Sequence, residues 1–157
     1  MIITAMLILI SLLFIMAWLS ESGPTPVANN SILKPCPNKP NCVCSEYIGD
    51  TKHYIEPLRL STEQLSKAIS YIKISVQSLE GKVEAEENAY LAATFSSSFF
   101  GFIDDVEFRV DAKNQLIHIR SAARLGYSDF GVNKKRLNDL KTILRQQLDQ
   151  VDKNSSN

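Results

Sequence analysis

The sequence predicts an α+β fold: a four-stranded antiparallel sheet with two helices packed on one face, preceded by an N-terminal transmembrane helix. Three observations carry this expectation. Ile2 to Leu19 is a run dominated by Leu, Ile, Met and Phe without a charge. Two later segments repeat their apolar residues with a helical period, and between them lie stretches that alternate with a period of two. Helices at both ends of a run of strands must cover one apolar sheet face, which is the α+β arrangement.

The apolar run covers roughly 27 Å as a helix at about 1.5 Å per residue, close to a bilayer core of ~30 Å. Trp18 stands at its far end, where an interfacial aromatic belongs. A cleaved signal peptide, with Ser20 and Ser22 as small residues near the site, competes with an uncleaved signal anchor. The run exceeds the ~7–15 residues of a signal core and no Lys or Arg precedes it, which favours the anchor. No cysteine directly follows it, so a lipoprotein reading is poor. The expected organisation is residues 1–20 as anchor or signal peptide and 21–34 as a Ser-, Pro- and Asn-rich linker. A folded domain over 35–151 and a polar tail over 152–157 follow. The expected location is an inner membrane, single-pass, with the domain exported to the periplasm or outer side; a cleaved, secreted form is the alternative.

STEQLSKAISYIKIS, residues 61–75, reads as a helix. Ser61 or Thr62 can cap it, Gln64 stands at capping-box spacing, and Leu65, Ala68, Ile69 and Ile72 form its buried stripe. The first strand places Val83 and Ala85 on one side, and Glu87–Asn88 turns the chain. Leu91, Ala93 and Phe95 share a face of the second strand. Phe102, Val106, Phe108 and Val110 share one on the third, and Ile117, Ile119, Ala123 and Leu125 on the fourth. Apolar residues are even-numbered on the third strand and odd-numbered on the fourth, so paired positions sum to an odd number. A two-residue turn at Lys113–Asn114 then pairs Val110 with Ile117, Phe108 with Ile119 and Glu107 with Arg120. The last helix carries the stripe Leu137, Leu140, Leu144, Leu148 and Val151.

The 157 residues hold 17 basic and 17 acidic side chains, 45 % apolar and 8 % aromatic. This is a globular composition. A neutral balance argues against nucleic acid, whose binders need a basic excess. Of the three cysteines, Pro37 and Pro40 bend the chain between Cys36 and Cys42. A disulfide between these two is reasonable in an exported domain and leaves Cys44 odd. A metal site has only His53 nearby as a further ligand and lacks the usual spacing, so no metal and no cofactor is expected. Reduced cysteines in a cytoplasmic domain remain the other reading.

CPNKPNCVCS, HYIEPLRL, FSSSFFGFIDDVEF and IHIRSAARLGYSDFGVNKKR, in this order from Cys36 to Arg136, resemble the domain-of-unknown-function 1499 family. GFIDDVEF and RSAARLGYSDFGVNKKR are the most specific blocks. The resemblance implies a bacterial or plastid protein, often with an N-terminal apolar segment, and implies no activity. The family usually has serine at Cys44, which supports Cys36–Cys42 as the pair, and tends to carry a basic residue near Ser98.

Three groups are candidates for function. Asp104, Asp105 and Glu107 form an acidic cluster, and parity puts Asp104 on the apolar face, where a carboxylate needs a partner or a raised pKa. Arg120, Arg124, Asn133, Lys134 and Arg136 surround the start of the last helix. Cations there oppose the helix dipole unless an anion or a carboxylate sits with them. They form a candidate anion site; the alternative is internal pairing of Arg120 with Glu107 and of Arg124 with Asp105 or Asp129. His53 and Tyr54 read as structural. No hydrolase elbow, phosphate loop or dinucleotide fingerprint occurs. The leading expectation is a non-enzymatic, membrane-anchored envelope domain binding a small anionic ligand, a lipid headgroup or a protein partner. The alternatives are a hydrolase using Asp104, Asp105 or Glu107 with His118 or Arg120, and a purely structural envelope domain.

Overall fold

The computed structural model describes residues 2–23, 32–97 and 101–155, with side chains through residue 150. Ser98 and the side chain of Val151, both singled out above, lie outside the described residues. The apolar run forms helix α1, Ile2–Glu21, whose apolar side chains are exposed along its length. It is long and apolar enough to cross a membrane, or to be a signal sequence.

The sheet is antiparallel and has six strands rather than four. The four expected strands are present as β3 (Lys82–Glu87), β4 (Tyr90–Ser96), β5 (Ile103–Asp111) and β6 (Leu116–Ala123). Two short strands, β1 (Cys42–Cys44) and β2 (Leu58–Arg59), pair end to end along the free edge of β6. They are too short to show a period. They cover an edge that would otherwise leave backbone groups unpaired.

The register of the β5–β6 hairpin is the expected one: Val110 faces Ile117, Phe108 faces Ile119 and Glu107 faces Arg120. The turn is longer than expected, since Asp111 pairs with Leu116 and residues 112–115 form the loop. A loop lengthened evenly about the same centre keeps every pair in place. Asp111 closes it by accepting the Asn114 backbone and side-chain amides at 3.1 and 2.9 Å.

Two further expectations are corrected. Val83 and Ala85 do not share a face. A bulge at Glu84 shifts the register between them, so Val83 packs in the main core and Ala85 behind the sheet. The helix over 61–75 is two pieces, α2 (Thr62–Leu65) and α3 (Ala68–Ser78), although the Ser61–Gln64 capping box forms as expected. Gln64 ties the first piece to the last helix of the chain: its Oε1 accepts the Ser61 amide at 2.9 Å and its Nε2 donates to Leu148 O at 3.3 Å.

The main core lies between the sheet and two helices, α3 and α4 (Val132–Ser155), on one face. Leu137, Leu140, Leu144 and Leu148 of α4 meet Ile72 and Val76 of α3 above Leu91, Val106, Phe108, Ile117 and Ile119. Gly81 allows α3 to descend onto β4, because a Cβ there would stand 2.5 Å from the Phe95 ring. The opposite face is not left to water. Leu33, Cys36, Cys44 and Tyr47 pack over Tyr90 and Ala92, which is why β4 is buried on both sides.

Candidate functional site

Strand β5 divides the acidic cluster between the two faces of the sheet. Asp104 points to the helix side and meets Arg136 of α4 at 2.8 Å. Asp105 and Glu107 point to the other side, where Glu107 takes Arg120 Nη1 at 2.9 Å and the Tyr90 hydroxyl at 2.8 Å. The three carboxylates therefore do not form one site. Burial pushes the Tyr90 phenol up, and its Glu107 acceptor pushes the same way.

Arg124 joins three parts of the chain. Its Nε and Nη2 hold both oxygens of Asp105 at 2.8–3.1 Å. Its Nη1 donates to the carbonyls of Ser20, Glu21 and Gly23 at 3.1, 3.2 and 3.0 Å. A helix leaves its last carbonyls without intrahelical donors, and a cation there also meets the favourable end of the dipole. Arg124 thus caps α1 from the sheet. Gly23 permits the approach, since a Cβ would lie 3.2 Å from Arg124 Cδ. Ser20 completes the joint: it is buried, and its hydroxyl accepts the Ile103 amide at 2.9 Å.

The start of α4 is capped by its own chain. Asp129 accepts the amides of Gly131 and Asn133 at 3.0 and 2.7 Å. Asn133 is only 1 % exposed. Its Oδ1 accepts the Ser121 hydroxyl and Arg136 Nη1, and its Nδ2 donates to Asn41 O at 3.2 Å. Arg136 also lies 4.9 Å over the Phe95 ring. Carboxylates therefore already offset the cations at this helix start. Lys134 is exposed and forms no ion pair among the described residues. The five candidate anion-binding residues lie on two faces, and their arginines are neutralised internally.

Burial raises the Asp104 and Asp105 carboxyls above their ordinary value, with Arg136 and Arg124 pulling each back down. A folded-state pKa above the unfolded one means the folded chain holds more protons in that interval. The contribution is present below the unfolded pKa and is lost as pH rises through the folded one. Wild type is therefore expected to lose stability relative to Asp104→Asn as pH climbs from the unfolded value of 3.8 through the raised one. Denaturant melts of both chains across that interval check this; a difference constant with pH contradicts it.

Cys36 and Cys42 are disulfide-bonded, and Cys44 is a buried free thiol. Burial raises the Cys44 pKa, which disfavours the reactive thiolate. Thiol counting should find none reactive in the native chain and one after denaturation. Reducing the bond should cost about 2 kcal/mol, the loop-entropy value for so short a loop. A melt with and without reductant reads this. His53 is held between Asp50 at 2.7 Å and Lys39 O at 3.0 Å, a structural tie between the disulfide loop and the next turn.

A network absent from the sequence expectations lies behind the sheet. Glu46 takes Arg109 Nε and Nη2 at 2.7 and 3.0 Å, and stands 3.3 Å from His118 Nδ1. Ser45 also meets His118 Nδ1, at 3.3 Å. A nucleophile–base–acid relay needs its two partners on opposite imidazole nitrogens, and here both share one. Glu46 lies outside any periodic segment, so no sequence signal marked it. Among the described residues, no three His, Cys, Asp or Glu side chains gather as a metal site.

The family model described as protein of unknown function, DUF1499, matches residues 32–144, which include all six strands. No curated protein matches the chain. With most of its length covered by that model, the chain belongs to the DUF1499 family.

Proposed function

We propose that this chain is a membrane-anchored, non-enzymatic envelope domain, seated against the bilayer on the exported side and binding its ligand there. The observation that carries this reading is the joint between α1 and the sheet. Ser20 is buried against Ile103, and Arg124 holds the last carbonyls of α1. A signal peptide destined for removal has no reason to be capped by the mature domain. The disulfide supports the exported side, since such bonds persist in oxidising compartments. The paired arginines count against a small anion as ligand and leave lipid or protein as the stronger branch.

The hydrolase alternative has little support. Asp104 is separated by the sheet from Asp105 and Glu107, and each carboxylate is held by an arginine. Alkaline extraction of membranes from cells making the full chain tests the anchor. Retention in the membrane pellet is expected; release into the supernatant would overturn the reading.

A further inference from the structure

The apolar face of the sheet extends beyond the helices that cover it. Phe102, Ala123 and Leu125 continue the inward-facing rows of Val106 and Ile119 past the start of α4. They line a groove of about 550 Å³ with Met16 of α1 and with Phe130 and Val132. This volume falls within the ~300–1,000 Å³ of ordinary ligand pockets.

The loop that forms the far wall is unusual for a surface in water. Phe130 is 97 % exposed and holds φ 53°, a conformation that L side chains rarely adopt. Tyr127 and Val132 beside it are exposed as well. Met16 precedes the end of α1 by five residues, roughly 7 Å at about 1.5 Å per residue. That is the depth at which amphipathic surfaces rest in the headgroup and acyl boundary, ~5–10 Å. Met16 shares its helix face with the exposed Leu9, Leu12 and Leu19, so the groove runs on into the apolar surface of α1.

From this continuity we infer that the groove binds one acyl chain of a bilayer phospholipid, with Phe130 inserted beside it; this rests on the reading of α1 as an anchor. The polar groups at the rim do not select a phosphate. Asp104 is engaged by Arg136 and Asp129 by the amides of Gly131 and Asn133, and no unpaired cation lines the groove among the described residues. The groove therefore recognises the tail, and the headgroup remains in the aqueous boundary.

The test uses the full chain in vesicles of phosphatidylcholine that carries a diazirine midway along one acyl chain. After irradiation, the adducts are mapped by peptide mass spectrometry. Adducts are expected on α1 and also on Phe102, Leu125, Phe130 or Val132. Ala123→Trp fills the groove, and Leu125→Glu places a charge at its exposed rim without touching the core. Either should reduce the groove adducts severalfold and leave those on α1 unchanged; if Ala123→Trp fails to fold, Leu125→Glu carries the test. Adducts confined to α1 would overturn the groove and leave the anchor standing. Groove adducts that persist in a folded variant would mean contact with bulk lipid and would overturn the bound chain. No adducts on α1 either would overturn the anchor as well.

Discussion

Replacing Arg124 with methionine is expected to destabilise the full chain by about 3–5 kcal/mol, the usual cost of removing one partner of a buried ion pair. The side chains of Arg124 and Asp105 are only 8 % and 14 % exposed, so solvent cannot take over the lost contact. The carboxylate left behind would be buried and unpaired, the carbonyls of Glu21 and Gly23 would lose the Arg124 donor, and Ser20 O would keep only the Gly23 amide. In melting temperature this corresponds to a fall of roughly 10–20 °C for a domain of this size. Arg124→Lys should recover only part, because an ammonium cannot reach both the carboxylate and the helix end as the planar guanidinium does. Adding Asp105→Asn to Arg124→Met should restore much of the loss, since the stranded charge disappears. Thermal melts of the four chains in the same detergent check this. An Arg124→Met chain that melts with wild type would show that the joint is not formed.

The second large effect is expected at Asn133. Asn133→Leu keeps the volume but leaves the Ser121 hydroxyl and one Arg136 N–H without their partner in a site closed to water, and leaves Asn41 O with the Ala123 amide as its one remaining donor. Each stranded group costs about 1–3 kcal/mol, and neighbours in one network do not add fully, so the loss should be roughly 3 kcal/mol. Asn133→Asp keeps the acceptor for Ser121 and Arg136 but turns an acceptor towards Asn41 O. It should fall between wild type and Asn133→Leu. Chemical denaturation reads the order; a neutral Asn133→Leu would mean that the network adds nothing.

The parts of the fold legible in the sequence are those where side-chain parity carries the information. The β5–β6 register follows from even-numbered apolar residues on one strand and odd-numbered ones on the next. It survives a longer turn because the pairing sum does not change. Parity also places Asp104 on the helix side, and it places Arg120 and Arg124 beside Glu107 and Asp105. What parity cannot carry was missed. The bulge at Glu84 adds one residue without altering the composition of the strand. Strands β1 and β2, of three and two residues, are too short to repeat a period of two. Leu33 falls in the expected linker and Tyr47 in no expected element, because the apolar groups around them are scattered, yet with Cys36 they cover the back of the sheet.

The same distinction holds at the site. The Asp104–Arg136 and Glu46–Arg109 pairs join a strand to a helix or a loop and carry no mark in the sequence, whereas the pairing of Arg120 with Glu107 and of Arg124 with Asp105 was legible because these charged side chains lie on or beside adjacent strands. The grip of Arg124 on α1 was not, because its acceptors are backbone carbonyls, which every residue supplies and no sequence marks. Ser20 illustrates this. In the sequence it is a small residue at a plausible cleavage point; in the structure it is a buried contact to Ile103.

The central claim is that α1 belongs to the mature, folded protein. The most direct measurement is the intact mass of the chain extracted from the membranes of an exporting cell, without reduction. The joint at Ser20 and Arg124 predicts the full 17.6 kDa chain, lighter by two cysteine hydrogens. A shorter chain that begins between Ser20 and Gly23 would contradict it, because the residues that Arg124 caps would then be a free end.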